Sequence, residues 1–165
     1  LRDACPGVRD RAMIEFLYST GVRVSEMAAL NVGDIEMGRQ ELIVYGKGSK
    51  ERKTYLTDSA EFYLKRYLKE RDAKDNEPLF GAEHHPDRRL TVAGIQYMLR
   101  QLGARAGVEK THPHRFRRTI ATDLLARGMP IEQVKEFLGH EKLDTTLIYC
   151  TVKEEQVKAS HRKYA

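Results

Sequence analysis

A histidine and an arginine one helical turn apart can grip a phosphate. In the stretch 111–125, Pro113 marks a helix entrance and is followed by His114 and Arg117. Their i, i+3 spacing brings both side chains out on the same side of the new helix. Imidazole moves protons near neutral pH, and guanidinium offers a rigid fork of donors that matches two phosphate oxygens. On a merely solvated helix the same pair would do nothing, so its meaning depends on what the rest of the chain brings to it. Four further candidates stand at chain landmarks rather than in mid-helix: Arg23, Lys47, His140 and Tyr149.

The elements that must position these groups are legible from periodicity. Val8, Ala12, Met13, Phe16 and Leu17 recur at helical spacing and predict a core-facing helix over 8–20, stopped by Gly21. Arg23 then falls in a turn before a short helix capped at Ser25, and Glu26 stands three residues on, placed to orient it. Residues 40–45 and 52–56 read as two strands of a hairpin around a glycine-bearing loop. Lys47, Lys50, Arg52 and Lys53 make that hairpin strongly basic, a surface suited to a nucleic-acid backbone. It is no phosphate loop of the Gly-Lys-Ser/Thr kind, because the required spacing is absent and no long helix follows. Thr57 or Asp58 caps a helix to about residue 71, with Phe62, Leu64, Tyr67 and Leu68 as packing residues, and Leu79 and Phe80 anchor the next loop. Thr91 caps a helix to about 105, with Gly107 as its stop. The His114 helix runs to about 127, burying Phe116, Ile120, Ala121, Leu124 and Leu125. A further helix spans 131–138, stopped by Gly139 directly before His140, and two last helices cover about 145–151 and 153–162. The final one has so little apolar face that it is expected to dock on another subunit. The predicted fold is mainly α with a small antiparallel β-hairpin or sheet.

With 165 residues, 41% of them hydrophobic, the chain suffices for one domain with a real core. Lysine and arginine exceed aspartate and glutamate by 29 to 24, a net charge of +5 that favours a polyanionic partner. No apolar run approaches the length of a membrane span, and no signal peptide opens the chain, so a cytoplasmic protein is expected. Cys5 and Cys150 then read as free thiols. His84 and His85, adjacent in a loop without ligands at a useful spacing, make a poor metal site.

Taken together, five segments resemble the successive motifs of the tyrosine recombinase (phage integrase) family, in order and in approximate spacing. They are Thr20-Gly21-Val22-Arg23-Val24-Ser25-Glu26, Gly46-Lys47-Gly48-Ser49-Lys50-Glu51-Arg52, His114-Arg115-Phe116-Arg117-Arg118-Thr119-Ile120-Ala121-Thr122, Leu138-Gly139-His140 and Thr145-Thr146-Leu147-Ile148-Tyr149. The resemblance implies a catalytic domain over 1–165, without the family's N-terminal DNA-binding domain. It implies that DNA strands are cleaved and rejoined through a covalent 3′-phosphotyrosyl intermediate, with Tyr149 as the nucleophile. Arg23 and Arg117 would neutralise charge at phosphorus, His114 would accept a proton or bind the phosphate, Lys47 would protonate the leaving 5′ oxygen, and His140 would hydrogen-bond the phosphate. Glu26 would brace Arg23 or His114 from behind. Lys50, Arg52, Lys53, Arg115 and Arg118 are the expected DNA-binding cations. No metal or other cofactor is expected. The partners implied are double-stranded DNA, on the nucleoid of a prokaryotic cell, and other protomers in a DNA-templated tetramer that exchanges the C-terminal helix.

The sequence departs from the family pattern at Arg118, where histidine is frequent, and at Phe116, where leucine is more usual. Cys150 beside Tyr149 reads as a small buried apolar residue or as an oxidation-sensitive thiol. Tyr164 lacks the Leu-Gly-His context of Tyr149, and His112 is a rival to His114 for its role. Two other functions fit the residues: a type IB topoisomerase-like enzyme, and a non-catalytic DNA-binding module in which Tyr149 is merely packed.

Overall fold

The computed structural model describes residues 1–46 and 51–139. At its centre lies α1 (Val8–Thr20), a helix buried along most of its length. Ala12, Met13, Ile14, Phe16 and Leu17 are all essentially inaccessible to solvent, as befits a helix surrounded by protein. Its one fully buried carboxylate, Glu15, is held by Arg2 and Arg11 at 2.8 Å each; a buried charge without such partners would be strongly destabilising. α3 (Asp58–Arg71) packs along one side of α1 and α5 (Pro113–Ala126) along another. α2 (Val24–Ala29) lies against α4 (Val92–Arg105), and α6 (Ile131–Leu138) packs on α5.

The sheet is antiparallel, in the order β1 (Ile35–Glu36), β2 (Glu41–Tyr45), β3 (Glu51–Tyr55). Leu42 and Val44 face the core, opposite Thr54 and Arg52 respectively. Ile43, Lys53 and Tyr55 face outward. β3 is tied to the end of α1: Thr54 Oγ1 donates to Thr20 O at 2.8 Å, and Ser19 Oγ donates to Tyr55 O at 3.0 Å.

The predicted bounds of α1 and α6 coincide with the observed ones, and Thr57 and Thr91 cap α3 and α4 by accepting from Ala60 N and Gly94 N. Two expectations need correction, and the hairpin gains a strand. α2 begins directly after Arg23 rather than at Ser25, because the Glu26 carboxylate accepts from Arg23 N at 2.7 Å and supplies the cap itself. The hairpin is part of a three-stranded sheet, since β1 adds a short edge. Phe62, expected to pack, is 61% exposed, and Leu64 and Tyr67 carry that interface. The two C-terminal helices expected after residue 140 lie outside the described residues, as do Lys47, Lys50, His140, Tyr149 and Cys150. Among the described residues no helix is long and apolar enough to cross a membrane.

Candidate active site

The site is organised by the C-terminal end of α6. Helices end with carbonyls that have no partner in the helix, and the macrodipole places partial negative charge there. Here three successive carbonyls each accept from a different arginine. Arg52 Nε donates to Phe137 O at 3.2 Å, Arg117 donates to Leu138 O, and Arg23 donates to Gly139 O at 3.2 Å. The three arginines come from β3, from the first half of α5 and from the turn between α1 and α2. The guanidiniums of Arg23 and Arg117, far apart in the chain, therefore sit side by side.

A second hub is the turn after α1. Gly21 adopts the left-handed conformation, with φ of 58°, which a residue with a Cβ adopts only with strain. Its carbonyl accepts from the other arm of Arg117. A Cβ on Gly21 would stand 2.9 Å from Leu138 Cδ2, so the missing side chain also lets α6 approach. Arg117 is thus clasped between two main-chain segments and is 4% exposed.

Glu26 joins the two remaining arginines. Its Oε1 accepts from Arg23 Nη1 and from Arg52 Nη1, each at 2.8 Å. Its Oε2 accepts from Arg23 N and from Arg52 Nη2, each at 2.7 Å. A carboxylate has about four acceptor positions, and all of them are filled. Burial pushes the Glu26 carboxyl up, but the hydrogen bonds from Arg52 and Arg23 outweigh it and hold the group down at about 2. Glu26 is therefore ionised at any physiological pH, and with Arg23 and Arg52 it forms a group of net charge +1.

The other sequence candidates divide sharply. His114 lies in the first turn of α5, exposed and three residues before Arg117, with its ring 6.3 Å from that of His112. Arg118 is exposed on the same helix. Arg115 turns back to Glu109 O and lines a different hollow, with Arg2, Phe116 and Thr119. Lys53 lies on the outer face of the sheet, paired with Glu41 at 2.8 Å. Arg52, expected among the outward DNA-facing cations, points inward instead: its side chain is only 8% exposed and its guanidinium is committed to Glu26 and Phe137. Strand alternation is the reason, since Arg52 shares a face with Thr54 and opposes the buried Val44. The place of Arg52 at the centre of the ion-pair cluster was missed in the sequence. Its own strand carries no apolar signal of this, since Thr54, the core-facing residue on the same face, is flanked by the exposed Lys53 and Tyr55.

A helical domain built around one buried helix, with a small antiparallel sheet against the site, is the fold of site-specific recombinases. The XerA recombinase superposes with a TM-score of 0.84 at 30% identity, covering 98% of this chain and 59% of that one. The XerH site-specific recombinase bound to difH substrate superposes at 0.76 and 28% identity, covering 93% of this chain and 46% of that one. The chain belongs to the phage integrase family, whose model matches residues 1–156. Tyrosine recombinase XerC of Leptospira interrogans is 42% identical over 159 residues, 94% of this chain and 50% of that protein. Tyrosine recombinase XerD of Oceanobacillus iheyensis is 42% identical over 164 residues, 95% of this chain and 54% of that protein. The chain spans about half the length of these curated relatives.

Proposed function

We propose that this chain is the catalytic domain of a site-specific DNA recombinase that cleaves and rejoins strands through a phosphotyrosyl link to Tyr149. The observation that carries the reading is the gathering of Arg23 and Arg117 at adjacent carbonyls of α6, directly before His140 in the sequence. Two planar forks brought together by long-range folding form a seat for one phosphate.

In this reading Arg23 and Arg117 stabilise the negative charge that builds on the non-bridging oxygens. Tyr149, whose phenol is a weak nucleophile at neutral pH, attacks phosphorus as its proton passes to His114; Lys47 delivers a proton to the departing 5′ oxygen. The bond energy is kept in the protein–DNA ester, so reversal of the same step rejoins a strand. His140 hydrogen-bonds the phosphate, and Arg118, Lys50, Lys53 and Arg115 meet the duplex backbone. Double-stranded DNA is the substrate in this reading; the XerH site-specific recombinase is likewise solved bound to its substrate, difH. Protomers assemble on the DNA and pass the C-terminal segment to a neighbour. The groove lined by Tyr18, Tyr55, Leu124, Met129 and Phe137 supports that exchange by offering an apolar seat.

The test is to trap the intermediate. The full-length protein incubated with a pool of nicked duplexes is expected to form an SDS-resistant adduct. Tyr149→Phe should abolish that adduct while DNA affinity is retained. A Tyr149→Phe protein that still forms the adduct, or a wild-type protein that forms none with any duplex, overturns the reading.

A further inference from the structure

Glu26 sits behind Arg23 with a full complement of hydrogen bonds, half of which come from Arg52. Without those two, one acceptor position on each carboxylate oxygen would be open, and the nearest cation able to fill both is Arg23 itself. A planar guanidinium and a carboxylate favour two parallel bonds. Arg23 now gives the carboxylate only Nη1 from its side chain and directs Nη2 to Gly139 O. Arg52 thus stands between Glu26 and full capture of Arg23. Its charge matters as well: Arg23 and Glu26 alone are neutral, whereas with Arg52 the group keeps one positive charge for an incoming anion.

Arg52 also spans the seam between three elements. It leaves β3, passes Gly139 and reaches both Phe137 O and Glu26. A Cβ on Gly139 would lie 2.7 Å from Arg52 Cδ, so the glycine is also what gives the arginine room to pass.

We propose that Arg52 is a positioning residue for strand cleavage, which occupies Glu26 so that Arg23 remains placed and charged for phosphate. The inference rests on the recombinase reading above. Arg52 touches no reacting atom; it acts through Arg23.

The test uses the full-length protein and its Arg52→Lys and Arg52→Gln variants, with the rate of adduct formation measured on nicked duplexes at saturating DNA. Affinity is measured in the Tyr149→Phe background, and thermal melting on each protein. Arg52→Gln removes both charge and fork and should slow adduct formation about 10-fold to 100-fold, the range carried by one or two charge-assisted hydrogen bonds. Arg52→Lys keeps the charge and loses the fork, so its rate should fall between those of Arg52→Gln and wild type. Affinity and melting should change little beside the rate, which separates positioning from mere support of the fold. Wild-type adduct formation with Arg52→Gln at an undiminished rate overturns this inference and leaves the recombinase reading standing. So does a loss of rate fully matched by lost affinity or lost fold. If the wild-type protein forms no adduct, the reading and the inference fall together.

Discussion

The two apolar clusters of the described residues differ in kind. The larger is built around α1 and draws on α2, α3, α4 and the sheet. The smaller comprises Ile120, Ala121, Val134 and Leu138, with Tyr18, Leu124, Leu125, Met129 and Phe137 at its edge, and it fastens α6 to α5. Dense packing holds the first. The second is thin, and its helix end is secured as much by arginines reaching main-chain carbonyls as by apolar contact. The densely packed part therefore supplies Arg23, Glu26 and Arg52, and the lightly anchored part supplies Arg117 and the α6 carbonyls at which the arginines meet. This division is common where a functional element has to move.

Substitutions can break or sharpen that contrast. The largest effect is expected at Phe16, fully buried and edge-on to Phe80 with ring centroids 5.7 Å apart. Phe16→Ala should cost about 3–5 kcal/mol of global stability in denaturant melts. Leu138→Ala empties the small cluster and should cost about 2–3 kcal/mol, read mainly as faster amide exchange in α6 while the α1 amides stay protected. Uniform exchange across both regions would erase the distinction. Gly21→Ala forces a Cβ into a left-handed turn and against Leu138. It should cost about 1–2 kcal/mol and loosen α6 more than α3.

A smaller, pH-dependent effect belongs to Glu26. Its folded pKa lies at about 2, below the ordinary value of 4.5, so its contribution to stability is complete above pH 4.5 and is lost as pH falls toward 2. Glu26→Gln should flatten the stability profile in that window, seen by melting at stepped pH. The smallest effect is expected at Phe62 on the outer side of α3: Phe62→Ser should stay within about 0.5 kcal/mol of wild type.

Much of the fold was legible because helix ends are marked by chemistry. Gly21 and Gly139 stop α1 and α6 in left-handed conformations, and the hydroxyls of Thr57 and Thr91 cap α3 and α4. β1 was hidden because two residues carry no period, and its connection to β2 runs through Gln40 at a φ of 56°, a conformation that glycine usually marks. Of the site, Arg23 and Glu26 could be paired from their spacing, and the His114–Arg117 turn from its proline. The inward direction of Arg52 could not be read, because β3 has the sequence Glu-Arg-Lys-Thr-Tyr, whose inward face bears no apolar side chain to mark it. Only the register against Leu42 and Val44 settles which face is which.

The three carbonyls at the end of α6 have one more implication. Main-chain oxygens are alike whatever side chain accompanies them, so the wiring at 137 and 138 is indifferent to residue identity within the limits of packing, whereas position 139 has to stay glycine to let Arg52 pass. It is not indifferent to count. Adding or removing one residue within α6 would turn its end by about 100° and misaddress all three arginines at once. Lineages descended from this chain should therefore be free to rewrite the letters of that helix while keeping its length fixed.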